Sequence, residues 1–168
     1  MNLIRISMLA ATVVMTGCAH VQFDNYMDEK QPMTFTYEYS VTGSKLDLWR
    51  KGRDFFNSTY VDHRTVIKTT DENAATLTGR GLADWTLGAG SRYQSTCSTA
   101  YQIQFAAANN KARVIFEITK GNAPESRCQG WPVPSQNGYI EIRKQFHDLH
   151  VALGTALRQE AFSTFQAQ

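Results

Sequence analysis

The sequence predicts an α+β fold: a two-layer sandwich in which an antiparallel five-stranded sheet carries two helices on one face. Five segments have the composition or the apolar–polar alternation of strands, and two segments have apolar residues at helical spacing. Short turns join the four later strands, which favours an antiparallel meander. The inward side chains of the strands form one aromatic and aliphatic face, and only the two helices can cover it.

The N-terminal segment, residues 1–17, has the three parts of a secretory signal: a positive charge at Arg5, an apolar run, and small residues at its end. The run is shorter than the ~20 residues that a membrane-spanning helix needs. The tetrapeptide Met15-Thr16-Gly17-Cys18 resembles the lipobox of bacterial lipoproteins. This resemblance implies that Cys18 is acylated and becomes the first residue of the mature protein. The alternative is an ordinary cleaved signal followed by a chance cysteine.

The residue after the lipidated cysteine helps to sort Gram-negative lipoproteins between membranes. Here it is Ala19, which implies the outer membrane, with the protein facing the periplasm. Residues 18–32 are polar and lack periodicity, so we expect a lipidated tether. Residues 33–168 then form a single α+β domain, since a mature chain of about 150 residues suits one hydrophobic core.

Residues 33–41 predict the first strand, because aromatic and aliphatic residues alternate there with threonine, glutamate and serine. The first helix begins at Ser44, which forms a capping-box pattern with Asp47. Gly52 lies on the apolar stripe of this helix and costs about 1 kcal/mol relative to alanine, which suggests a close approach to the sheet. The stripe consists of Leu48, Gly52, Phe55, Phe56 and Thr59.

Four further strands and a second helix complete the prediction. Gly79 and Gly81 indicate a bulge or a twist in the strand that contains them. An irregular loop at 121–138 precedes the helix, which is predicted from Ile140 to about Phe165. The predicted strands are residues 64–70, 74–85, 97–107 and 112–119, and the apolar stripe of the helix is Ile142, Phe146, Leu149, Leu153 and Leu157.

Once Cys18 is set aside, Cys97 and Cys128 remain as an even pair, which predicts one disulfide in an oxidising compartment. The alternative is two separate thiols. The absence of a Cys-x-x-Cys motif gives no support to a thioredoxin-like redox role. The formal net charge of +2, which falls by one when Arg5 is removed, provides no strong field for nucleic acid.

The predicted domain resembles a family of bacterial lipoproteins that consist of a domain of unknown function with a TBP-like fold. The resemblance covers roughly residues 33–120 and implies the fold and no activity, cofactor or catalytic residue. It rests on Phe35-Thr36-Tyr37-Glu38-Tyr39, Ser44-Lys45 with Leu48-Trp49, Phe55-Phe56, Gly79-Arg80-Gly81, Tyr101 and Phe116.

His147 and His150 are the strongest candidates for chemistry, because an i,i+3 spacing places both on neighbouring helical turns and allows a shared metal. Glu141, Asp148 and His63 are the candidate further ligands. The alternative is that His150 lies at the boundary of the apolar stripe. We find no nucleophile-elbow motif and no third glycine for a dinucleotide loop, so we expect no enzyme, no cofactor and no resident metal.

The outward face of the sheet is the main candidate binding surface, with Thr36, Glu38, Gln102 and Gln104 as its representative residues. We expect it to be polar and nearly uncharged. The alternative is a solvated face without a role, which antiparallel sheets often have. Trp131, with Trp85 and the loops beside them, is a second candidate, since tryptophans on loops are frequent binding anchors. The alternative is that these tryptophans fill the end of a small hydrophobic core.

Together these observations predict a non-enzymatic lipoprotein, anchored in the outer membrane through acylated Cys18 and facing the periplasm. It would bind an envelope protein or a second copy of itself, and no nucleic acid. The alternative function is a small-ligand or metal-binding module that uses the helix face of His147 and His150.

Overall fold

The structure is a computed structural model and describes residues 24–59, 66–121, 126–128 and 130–159. The predicted signal peptide, Cys18 and His63 lie outside these ranges. Neither of the two helices in the described ranges combines the length and the apolar composition that crossing a bilayer requires.

The chain forms five strands and two helices in the predicted order. The five strands form one sheet in the order β1-β5-β4-β3-β2, and all neighbouring strands are antiparallel. Both helices pack on the sheet and on each other, which confirms the two-layer α+β sandwich. The elements are β1 (Thr34–Ser40), α1 (Lys45–Thr59), β2 (Val66–Asp71), β3 (Thr76–Leu87), β4 (Ser95–Ala108), β5 (Lys111–Ile118) and α2 (Gln136–Arg158).

The hydrophobic core lies between the sheet and the helices and is rich in aromatic rings. Phe146 of α2 stacks on Phe116 of β5, with ring centroids 5.0 Å apart, and meets Tyr101 of β4 edge-on at 4.9 Å. The inward residues that period two predicts in β4 are all buried: Cys97, Thr99, Tyr101, Ile103 and Phe105. Strand alternation in the sequence therefore identifies the core-facing side correctly.

Glycines allow both helices to lie close to the sheet. A Cβ atom on Gly52 of α1 would lie 2.4 Å from the ring of Phe105. A Cβ atom on Gly138 of α2 would lie 2.4 Å from the ring of Trp85. The close approach that Gly52 suggests in the sequence is therefore present, and α2 uses the same device.

α2 begins at Gln136, four residues before the predicted start at Ile140. The reason is a buried N-cap: the Ser135 hydroxyl accepts a hydrogen bond from the Gly138 backbone N–H at 3.0 Å. The predicted loop 121–138 therefore ends at Ser135. The predicted helix residues 160–165 lie outside the described ranges.

The bulge or twist predicted at Gly79 and Gly81 of β3 is found in the neighbouring strand β2. The register of β2 shifts between Ile67 and Thr69, opposite Gly79 of β3. Gly81 has another role, because a Cβ atom there would lie 2.3 Å from the ring of Tyr101. The small residue makes room for a core aromatic residue.

Residues 24–32, which the sequence assigns to the tether, pack on the domain. The carbonyl of Asn25 accepts a hydrogen bond from the backbone N–H of Gln136 at 2.8 Å. The backbone N–H of Met27 donates to the carbonyl of Pro134 at 3.0 Å, and the Met27 side chain is buried. The folded part of the chain therefore includes residues that precede β1.

The substitution Gly52→Ala should lower the free energy of unfolding by about 1–3 kcal/mol, because the added methyl group overlaps Phe105 and forces the helix away from the sheet. Urea unfolding measures this change. Asn57→Ala, at an exposed position of the same helix, is the matched control and should stay within about 0.5 kcal/mol of the parent protein. An equal effect of both substitutions would contradict the close-approach explanation.

Candidate functional site

The candidate binding surface is the open face, defined as the sheet surface opposite the two helices. Thr36 and Glu38 of β1 are exposed there, as are Gln102 and Gln104 of β4. No described element of the chain covers these four residues. The structure therefore brings the predicted surface residues together on one side of the sheet.

The strand registers arrange the open face in rows that cross the sheet. The central row consists of uncharged side chains and runs across all five strands without interruption. It combines three hydroxyl groups, one amide and one aliphatic side chain, so it offers hydrogen-bond donors, acceptors and some apolar surface. Its members, from β1 to β2, are Thr36, Ile115, Gln104, Thr78 and Thr69.

Charged residues lie on both sides of the central row, so the expectation of a nearly uncharged face is wrong. Towards the start of β1, Glu117 of β5 and Arg80 of β3 flank Gln102. Towards the end of β1, Glu38 pairs with Arg113. Exposed cations outnumber exposed anions by one in these rows and next to them: Lys68, Arg80, Lys111 and Arg113 against Glu38, Asp71 and Glu117.

The open face contains a shallow hollow of about 370 Å³ over β2, β3 and β4. Lys68 and Arg80 supply two positive charges at its edge, and Gln102 and Gln104 supply amides. Hydrogen-bond donors therefore outnumber acceptors in the hollow, since the lysine and arginine side chains have no acceptor atom. Chemically it suits carboxylate or carbonyl groups of a partner.

Trp131 and Trp85, the second candidate, form part of the core at one end of the sandwich. Trp85 is buried, and its indole N–H donates to the Thr99 hydroxyl at 2.9 Å. Trp131 is half-buried, with its ring centroid 6.0 Å from that of Trp85 and 4.5 Å from that of Tyr26. Trp85 is therefore a core residue and not a loop anchor, while Trp131 keeps part of its ring accessible.

The predicted disulfide between Cys97 and Cys128 is present, with the two Cα atoms 5.3 Å apart. Both cysteines are buried. Beside them, the Ser126 hydroxyl accepts hydrogen bonds from the backbone N–H of Ser98 at 3.2 Å and of Cys128 at 3.3 Å. This loop therefore satisfies the edge of β4 where β5 no longer pairs with it.

His150 stacks on Tyr37 of β1, with ring centroids 4.0 Å apart and an interplanar angle of 6°. Its Nδ1 atom is buried and has no hydrogen-bond partner among the described residues. Burial is the main cause that lowers the pKa of His150, and repulsion by His147 adds to it. The sequence gives no signal for the Tyr37 stack, because the two residues lie on separate elements.

Few side chains that could bind a metal ion are available around His147 and His150 for the metal-binding alternative. The rings of the pair lie 5.1 Å apart, but the described residues contain no group of three side chains placed to hold a metal ion. Glu141 accepts a hydrogen bond from the Thr86 backbone N–H at 2.9 Å, and Asp148 pairs with Lys144 at 2.8 Å. His63 lies outside the described ranges.

Comparison with known proteins relates the chain to solved structures. No family model matches the sequence, and no curated protein matches it. A DUF4468 family protein from Bacteroides ovatus superposes with a TM-score of 0.57 and 13% identity, over 82% of this chain and 92% of that one. A TBP-like protein from Parabacteroides distasonis superposes with a TM-score of 0.50 and 9% identity, over 71% and 91%. At these identities the similarity shows the fold alone, and that fold is the TBP-like one.

Replacing both Cys97 and Cys128 by alanine should lower the free energy of unfolding by about 3–4 kcal/mol, because the bridge closes a loop of about 30 residues in the unfolded chain. Urea unfolding measures the loss. A reducing agent should destabilise the parent protein and leave the double variant unchanged. If reduction does not move the unfolding midpoint of the parent, the stabilising role of the bridge is wrong.

The stability of the protein should fall as the pH drops below about 6.5, the ordinary histidine pKa. The lowered pKa of His150 means that the unfolded chain takes up a proton before the folded chain does, so acid favours unfolding. His150→Phe keeps a ring on Tyr37 and should reduce the pH dependence of the free energy of unfolding below about pH 6.5. Urea unfolding at several pH values measures it.

The matched control is His147→Gln, which leaves the His150 ring and its burial in place. This variant should keep most of the pH dependence of the free energy of unfolding. If His150→Phe and the parent protein show the same slope, another group causes the pH dependence.

Proposed function

We propose that the protein is an outer-membrane-anchored lipoprotein of the periplasm that acts as a non-catalytic docking module, with the open face as its binding surface. The observation that carries the proposal is the open face itself: a five-stranded surface with an uncharged central row between charged rows. Neither helix nor any other described element of the chain covers it.

The anchor part of the proposal is supported by the N-terminal sequence. The lipobox-like tetrapeptide ends at Cys18, and small residues precede it directly. Each buried acyl methylene contributes roughly 0.8 kcal/mol, so several chains on one cysteine hold a protein stably at a membrane. Ala19 favours the outer membrane over the inner one.

The charge of the open face indicates the chemistry of the partner. Four exposed cations lie on it with three exposed carboxylates, those of Glu38, Asp71 and Glu117, and the two cations of the hollow, Lys68 and Arg80, have no carboxylate among the residues that line it. A second copy would bring the same excess of one positive charge to the interface and would therefore add no complementary net charge. An envelope protein with an acidic surface is the better complement, because its carboxylates can accept from Lys68, Arg80 and the amides of the hollow.

The proposal is tested by photo-crosslinking in the native envelope, with a benzophenone amino acid placed at Gln102 or at Thr36. Both positions should give one specific protein adduct, since both lie on the open face. The same probe at Lys144, an exposed position of α2, is the control and should not give this adduct. Only random products from Gln102 and Thr36 would overturn the docking role.

Charge reversal adds a second measurement to this experiment. Arg80→Glu should lower the yield of the specific adduct about fivefold, since an exposed charge pair contributes about 1 kcal/mol. Lys144→Glu changes the net charge equally on the helix side and should leave the yield unchanged.

A further inference from the structure

The described chain starts at one end of the sandwich and is fastened there. Asp24 accepts a hydrogen bond from the backbone N–H of Gly88, which follows β3. The carbonyl of Asn25 is bonded to the first turn of α2, and the Tyr26 hydroxyl donates to the carbonyl of Gly130 at 3.0 Å. We call this the anchored end, made up of residues 24–32, 88–94, 119–121, 126–128 and 130–135 and the first turns of α2.

The strand registers show that these segments share one end of the sheet. Leu87 at the end of β3 pairs with Ser95 at the start of β4. The end of β5 lies beside the start of β1, where Glu117 pairs with Thr34. The opposite end carries the turn at 72–75 and the β4–β5 hairpin turn.

A short stretch of chain separates the anchored end from the proposed lipid. Residues 19–23 lie between Cys18 and Asp24. Even fully extended, this stretch spans about 20 Å, at roughly 3.3–3.6 Å per residue. β4 alone has 14 residues and measures about 45 Å at 3.3 Å per residue. An acylated Cys18 would therefore hold the anchored end, and not the opposite end, next to the bilayer.

The exposed surface of the anchored end has the composition of a membrane-contacting region. Among the described residues, four large hydrophobic side chains are exposed, and three belong to this end: Tyr93 at 82%, Ile140 at 55% and Tyr26 at 54%. The fourth, Val151 at 49%, lies further along α2. Tyrosine suits the headgroup region, because its ring is apolar and its hydroxyl stays hydrated.

The charges at this end also favour a phospholipid surface. The exposed cations are more numerous than the exposed carboxylates of Asp28 and Glu29. Each lysine or arginine near an anionic membrane surface contributes about 1 kcal/mol. The cations are Lys30, Arg92, Lys120 and Arg127.

We infer that the anchored end is a membrane-contacting surface that binds phospholipid headgroups. In this orientation the strands extend from the bilayer into the periplasm, and the open face is exposed to the periplasm at the side of the domain. The inference rests on the proposed acylation of Cys18 and does not depend on the partner of the open face. Individual contacts are weak, but the anchor keeps the surface at a high effective concentration near the lipid.

The test uses the full acylated protein in vesicles of phosphatidylethanolamine and phosphatidylglycerol, with no other protein present. A benzophenone amino acid replaces Tyr93 or, as the matched control, Val151. Mass spectrometry counts lipid adducts and verifies the acyl chains on Cys18. The Tyr93 probe should give at least about fivefold more lipid adducts, which corresponds to a preference of about 1 kcal/mol.

Each outcome is decisive. Preferential labelling at Tyr93 supports the orientation whatever the crosslinks from the open face show. Equal labelling at both positions, or more at Val151, overturns the orientation and leaves the docking role standing. A chain without acyl groups on Cys18 overturns both the anchor of the proposed function and this inference.

Discussion

Two helices must cover one face of a five-stranded sheet, and the rest of the structure depends on this constraint. The chain offers no further helix within its described ranges, so the apolar side chains collect on a single face of the sheet. Close contact is possible because Gly52 and Gly138 let the helix backbones lie directly on Phe105 and Trp85. The same constraint leaves the second face to water, and that face becomes the candidate binding surface.

Much of this arrangement could be predicted from local patterns, because period two and helical spacing report directly which side chains are buried. β4 is the clearest case, since every residue predicted to face inward is buried. The start of α2 was missed because polar residues and Gly138 resemble a loop in sequence. Its helical state depends on the Ser135 cap and on packing against Trp85, which are tertiary contacts.

The candidate site was predicted less completely, because its properties arise from register between strands. Alternation places Arg80 and Arg113 on the outward side, yet only the pairing with Gln102 and Glu38 shows how their charges border the central row. The packing of residues 24–32 on the domain could not be predicted from the sequence pattern either. Backbone hydrogen bonds to Pro134 and Gln136 hold that segment, and such bonds leave no periodic pattern in the sequence.

The two proposed surfaces are compatible because they occupy different parts of the domain. The anchored end is built from loops and from the start of α2, whereas the central row crosses the middle of the strands. A domain held at its end by a short chain cannot move far from the bilayer, but its open face remains accessible from the side. Such a geometry raises the local concentration of the face for a partner in the same membrane. An acidic partner anchored nearby would meet the cations of the open face without any rearrangement of the fold, since the surface is already formed in the free protein.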